Sequence, residues 1–176
     1  MSLPSWFASR KAFFVKAALV TVALLAGAAY FRAHYRVGIA PQASICLPGW
    51  RVFLVNLDDR TPARGQVYAF VARGIAVRLD GQTFFADGTL IAKEVAGVPG
   101  DEVSVTEKRT MVNGVPKGQG LALARTLARS AESFTRHERV PDGHYLFMGL
   151  THDSYDGRYW GYVRADQVMG RAIRLL

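Results

Sequence analysis

The stretch Ile91-Ala92-Lys93-Glu94-Val95-Ala96-Gly97-Val98-Pro99-Gly100-Asp101 decides how the chain folds. Read as a strand, it puts Ile91, Lys93 and Val95 on one face and Ala92, Glu94 and Ala96 on the other, so the lysine shares the apolar side. Pro99-Gly100 then supplies a turn, since proline presets φ at the first central position and glycine accepts positive φ at the second. Desolvation disfavours the charged form of an amine, and an amine that is neutral near pH 7 can take a proton from a hydroxyl. Lys93 is therefore a candidate general base. The same pattern also suits a lysine that snorkels from a strand edge to water.

Working outward, lysine is scarce. Of 22 basic residues only Lys11, Lys16, Lys93, Lys108 and Lys117 are lysine, and the rest are arginine, which cannot lose its proton and so cannot serve as a base. Lys108 and Lys117 lie in polar runs; Lys93 alone sits in an apolar strand pattern. The 176 residues, 50% of them hydrophobic, suit one domain plus a membrane segment. A net charge of +8 favours anionic partners. The arginines are scattered without interleaved aromatics and no nucleic-acid module accompanies them, so membrane lipid is the expected partner and nucleic acid is not. A single cysteine, Cys46, excludes an intrachain disulfide and a multi-cysteine zinc site. No His-Glu-x-x-His pattern is present, and no metal or cofactor is expected.

Residues Ala12 to Phe31 form an apolar run interrupted only by Lys16. As a helix rising ~1.5 Å per residue it spans about 30 Å, the thickness of the hydrocarbon core. Arg10, Lys11 and Lys16 on one side against Arg32 and Arg36 on the other favour a cytoplasmic N-terminus. Ala26-Gly27-Ala28 leaves open a cleaved signal peptide. Tyr30, Phe31, His34, Tyr35 and Arg36 make an aromatic and basic collar suited to a membrane interface.

Beyond the collar, Pro41, Pro48 and Gly49 place Ser44 in an irregular segment close to the membrane. A lone serine gains meaning only if another group activates it. Strands are expected over Arg51-Leu57, Gly65-Val71, Ile75-Leu79, Glu102-Thr106, Tyr145-Met148 and Gln167-Leu176, with Asn113-Gly114 closing a tight hairpin. Leu121 to Glu132, rich in Leu, Ala and Arg at helical spacing, predicts one short surface helix. Gly149 to Val163 is too dense in Asp, Ser, Gly and Arg to be core, and Asp156 and Arg158 are spaced to pair from an extended segment.

Four features together resemble the bacterial signal peptidase I family of membrane-bound serine and lysine endopeptidases. They are the span Ala12 to Phe31, Ser44 shortly after it, Lys93 followed by Gly97-Val98-Pro99-Gly100-Asp101, and Ser154-Tyr155-Asp156-Gly157-Arg158-Tyr159-Trp160-Gly161. The small size, with a short helix-bearing insertion at about 117–140, looks most like the conjugative-transfer branch, the TraF-type peptidases.

The resemblance implies a mainly β, signal-peptidase-like antiparallel fold with one short helix plus an N-terminal transmembrane helix. The division is then a cytoplasmic N-terminus 1–11, a retained span 12–31 in the bacterial inner membrane, and a periplasmic catalytic domain 32–176. The implied substrate is a precursor protein, a pilin or other secreted subunit, cut or joined end to end.

Carried over residue by residue, Ser44 resembles the nucleophile and Lys93 the general base. Ser154 resembles the serine that orients the lysine, and Asp156 and Arg158 look like the pair that braces the site. The oxyanion is expected to meet the Ser44 backbone N–H and, where the family usually has a serine hydroxyl, the amide of Gln42. Gly157 stands where signal peptidases commonly carry serine, and His152-Asp153 where Arg-Asp-Asn is common, which makes Asp153 a further supporting residue.

Two rivals differ in class. A thiol protease would pair Cys46 with His137, His144 or His152, none at a defined spacing. A catalytically inactive membrane-tethered scaffold would keep fold and anchor without needing a neutral lysine.

Overall fold

The computed structural model describes residues 10–40, 46–79 and 81–176, which fall into two compact units, Met1–Arg36 and Val37–Leu176. Ser44 and Gln42 lie outside the described residues.

The first unit is the helix α1 (Lys11–His34), none of whose residues is buried. At ~1.5 Å per residue its 24 residues extend about 36 Å, long and apolar enough to cross a hydrocarbon core of about 30 Å. The helix outlasts the apolar run because nothing in Arg32-Ala33-His34 breaks it. Tyr35, with φ −134° and ψ 153°, ends it by turning extended.

The second unit is mainly β. Its strands are β1 (Tyr35–Ile39, which begins at the end of the first unit), β2 (Val52–Asn56), β3 (Val67–Val71), β4 (Val77–Leu79), β5 (Gln82–Phe84), β6 (Leu90–Gly97), β7 (Glu102–Val105), β8 (Arg109–Val112), β9 (Val115–Gln119), β10 (Arg136–Arg139), β11 (His144–Met148), β12 (Val163–Arg164) and β13 (Val168–Arg174). Seven of them form one sheet in the order β1-β2-β13-β3-β6-β11-β12, four form a second in the order β10-β7-β8-β9, and β4 pairs with β5. The registered pairs are antiparallel.

Local chemistry explains the turns. Gly100 has φ 86°, and the Asp101 N–H donates to the Val98 carbonyl at 3.0 Å, closing the Pro99-Gly100 turn. Asn113 and Gly114 both adopt positive φ, 50° and 75°, as a primed hairpin turn between β8 and β9 requires.

β6 sits inside the large sheet, between β3 and β11, and follows the alternation expected of it. Ile91, Lys93 and Val95 are buried while Leu90, Ala92 and Glu94 are half-buried. Its buried face joins a cluster containing Tyr68, Phe70, Ile75, Phe85, Phe147 and Val168. Phe53, Val55, Leu57, Ala69 and Ala172 form another cluster, and Val103, Val105, Val112, Val140, Leu146 and Met148 a third.

Asp101 ties the end of β6 to its surroundings. It accepts from Arg64 at 2.7 and 2.6 Å, from the Val98 N–H at 2.8 Å and from the Asn113 amide at 2.8 Å. Burial pushes this carboxyl's pKa up, but the Arg64, Val98 and Asn113 bonds outweigh it and hold the group below its ordinary value.

The expected surface helix over Leu121 to Glu132 is absent. The segment is a series of turns followed by a 3-10 turn at Ala131–Phe134, and Ala128 is left-handed with φ 52°. So short a helix has little stability of its own. The turning chain instead buries Leu121, Ala124 and Phe134 in the cluster of Val103 and Val112. The short α-helix of this unit is α2 (Gly157–Trp160).

Because the folded-state pKa of Asp101 is depressed, its stabilisation is fully present above the unfolded value of ~3.9 and is lost as pH falls toward the folded value. Asp101→Ala is expected to cost about 1–3 kcal/mol at pH 7, hydrogen bonds to a charged group being lost. The difference in melting temperature from wild type, read by circular dichroism, should shrink as the pH is lowered below 4.

Candidate active site

Lys93 projects from β6 into the interior with 1% of its surface exposed. Its Nζ donates to Ser154 Oγ at 2.9 Å, and among the described residues it forms no salt bridge. Burying an ammonium without a carboxylate costs several kcal/mol. Nζ also lies 5.8 Å from the Phe85 centroid and 5.6 Å from that of Trp160, within cation–π reach.

Across the sheet from Lys93 lies Tyr68, whose hydroxyl donates to Asp59 at 2.8 Å. Burial, reinforced by Asp59, pushes this phenol up to about 12. Tyr68 therefore stays neutral beside the amine and offers it no counter-charge.

Ser154 is itself buried and is held by the loop between β11 and α2. That loop was expected to be too polar for core, yet Ser154, Asp156, Gly157, Arg158 and Tyr159 are all buried. Its polar groups satisfy one another. Nor are Asp156 and Arg158 on an extended segment, because Asp156 caps α2 and accepts the Arg158 N–H at 3.1 Å.

The two side chains meet in a forked pair, Arg158 Nε to Oδ1 at 2.8 Å and Nη2 to Oδ2 at 2.9 Å, with exposures of 1% and 0%. The remaining Arg158 donors reach the carbonyls of Gln119, Gly120, Thr151, His152 and Ser154 at 2.9 to 3.2 Å. Asp156 Oδ2 also accepts the Gly149 N–H at 3.0 Å. Burial lowers the Arg158 pKa, but the hydrogen bond and charge of Asp156 raise it overall.

Close approach at Gly149 completes the arrangement. A Cβ there would fall 2.1 Å from Ser154 Oγ and 3.0 Å from Cys46 Cβ, and the Leu150 N–H donates to the Cys46 carbonyl at 2.8 Å. At Gly157 a Cβ would meet Leu146 Cδ1 at 2.7 Å and the Phe147 carbonyl at 2.8 Å, so packing fills the space a serine would take.

A mainly apolar cavity of about 340 Å³ adjoins Lys93, with Cys46, Leu47, Trp50, Phe53, Phe85 and Ile91 among its lining residues. The structure thus gathers Lys93, Ser154, Asp156 and Arg158 into one network. Asp153 is exposed in the turn before Ser154. Periodicity overlooked Phe85, which has φ 53° and follows directly on β5. Gly149 was also missed, although a glycine directly after the β11 apolar run signalled close backbone approach.

The pattern of the signal peptidase, peptidase S26 family matches residues 10–176, and the chain belongs to that family. It is 35% identical over 83 residues to a signal peptidase I of Leptolyngbya laminosa, covering 46% of this chain and 38% of that protein. It is 31% identical over 115 residues to a probable signal peptidase I-2 of a Synechocystis species, covering 65% and 48%. The chain thus spans less than half the length of either relative. The crystal structure of a signal peptidase I from Enterococcus faecalis aligns at 25% identity over 64% of this chain and 97% of that one, with a TM-score of 0.40.

Removing one member of the buried pair leaves the other uncompensated. Asp156→Ala is expected to destabilise the domain by about 3–5 kcal/mol, far more than Asp166→Ala, whose partners Arg73 and Arg164 are exposed. Thermal unfolding of the two variants side by side checks the contrast.

Proposed function

We propose that this chain is a membrane-anchored serine endopeptidase that processes precursor proteins, with Ser44 as nucleophile and Lys93 as general base. The observation that carries this reading is the Lys93 amine, sequestered from water, bonded to Ser154 and facing an apolar cavity whose wall includes Cys46 and Leu47. Ser44 precedes Cys46 by two residues, a tether of about 7 Å at full extension.

The chemistry follows. Neutral Lys93 accepts the Ser44 proton as the hydroxyl oxygen attacks the substrate carbonyl, and the resulting ammonium delivers that proton to the leaving amine. Ser154 orients the amine, and the Asp156–Arg158 pair holds Ser154 by its backbone. Asp153 supports the turn that carries Ser154.

The tetrahedral anion is held by the Ser44 backbone N–H and the Gln42 amide, each such donor contributing about 3–4 kcal/mol. Water then resolves the acyl-enzyme; a substrate amine arriving first makes a new peptide bond.

The finer reading places α1 across a bacterial inner membrane with the N-terminus cytoplasmic and the β unit periplasmic. The charge bias around the apolar run supports it. A conjugative pilin precursor, cut or cyclised, is the proposed substrate; the resemblance to the transfer branch supports this. A tethered scaffold has no use for an amine kept from water, so the burial of Lys93 favours the peptidase.

Co-expression with candidate pilin precursors, followed by mass measurement, separates cut, cyclised and untouched chains. Ser44→Ala and Lys93→Arg are each expected to abolish processing while the melting profile shows a folded domain. Full activity in Lys93→Arg would refute the general-base role, because arginine keeps its proton.

A further inference from the structure

A second cleft, of about 540 Å³, lies between β9 and the loop that follows β11. Arg109, Lys117, Thr151 and His152 line it, and among the described residues no aspartate or glutamate does. Five arginines elsewhere in the unit are paired with carboxylates: Arg64 with Asp101, Arg73 and Arg164 with Asp166, Arg136 with Glu138 and Arg158 with Asp156. The side chains of Arg109, Lys117 and His152 make no salt bridge or hydrogen bond among the described residues. Thr151 adds a buried hydroxyl oxygen with no hydrogen-bond partner among the described residues. The unpaired cations Arg109 and Lys117 lining one cleft define a site for an anion.

The cleft also shares its backbone with the candidate active site. Its wall runs from Gly149 to His152. Within that segment, Gly149 lies against Ser154 Oγ, the Leu150 N–H holds the Cys46 carbonyl, and Arg158 holds the carbonyls of Thr151 and His152. One strip of chain therefore lines the cationic cleft and bonds to Cys46, a lining residue of the apolar cavity beside Lys93. We propose that the cleft binds a carboxylate of the substrate on the leaving-group side of the scissile bond, either an acidic side chain or the chain's free C-terminus. This rests on the peptidase reading, with the acyl side of the substrate in the apolar cavity.

The test uses the full wild-type chain in zwitterionic detergent and three short dye-labelled peptides of one neutral sequence: a free C-terminal acid, its amide, and the amide with one internal aspartate. These represent the released segment and need no cleavage, so fluorescence anisotropy reads the cleft while precursor processing reads the peptidase. A carboxylate peptide is expected to bind roughly tenfold tighter than the amide, and Arg109→Ala or Lys117→Ala to reduce that advantage by roughly threefold each. Lys117→Arg should keep it. The acid and aspartate peptides, compared with each other, identify the source of the carboxylate.

Equal binding of acid and amide overturns the proposal, and so does an advantage that survives the double variant Arg109→Ala/Lys117→Ala. A double variant that loses binding of a short-chain anionic phospholipid, with peptide binding unchanged, assigns the cleft to lipid headgroups and equally overturns it.

Discussion

The guanidinium of Arg158 and the carboxylate of Asp156 leave water together, and the loop that carries Ser154 has the shape it has because both must be satisfied there. A buried charge is tolerated only when its hydrogen-bonding capacity is filled. Asp156 meets part of the Arg158 demand, and backbone carbonyls on both sides of the loop meet the rest. The pair contributes less as an attraction between charges than as a constraint on where the backbone can run. Gly149 and Gly157 follow from that constraint, since a side chain at either would strike what the pair has drawn close.

Against this constrained loop stands a strand that needs no such device. β6 is hydrogen-bonded on both sides, to β3 and β11, so the root of Lys93 is set by the sheet. The amine then meets Ser154 from the opposite wall. A strand with fixed register and a loop held by a charge pair hold the two groups in one geometry, the preorganisation a proton-transferring site needs. The proposed dyad uses that preorganisation; the network stands irrespective of the chemistry assigned to it.

Charge is distributed unevenly around this centre. The cavity beside Lys93 is mainly apolar, whereas the cleft under β9 gathers unpaired cations. The scattered arginines of the sequence sort into paired structural groups and unpaired ones only once the chain is folded.

Membership of the peptidase S26 family, the mainly antiparallel β character and the long apolar helix are all written locally. A period of two exposes the buried face of Ile91, Lys93 and Val95, Pro99-Gly100 and Asn113-Gly114 encode their turns through φ alone, and an unbroken apolar run encodes α1. What the letters of Leu121 to Glu132 concealed was the competition between helix formation and burial, which the core of Val103 and Val112 decides in favour of turns. The burial of the Ser154 to Tyr159 segment was hidden for a related reason: polar residues enter a core only when partners wait for them. The Arg158 partners Gln119 and Gly120, like the Arg64 partner Asp101, lie far along the chain. Sequence by itself determined which residue types and turns were available, because those depend on neighbours within a few bonds. Only the tertiary structure decided that Phe85 and Trp160 flank the lysine and that Ser154 meets it, because such encounters depend on how strands distant in sequence are brought side by side.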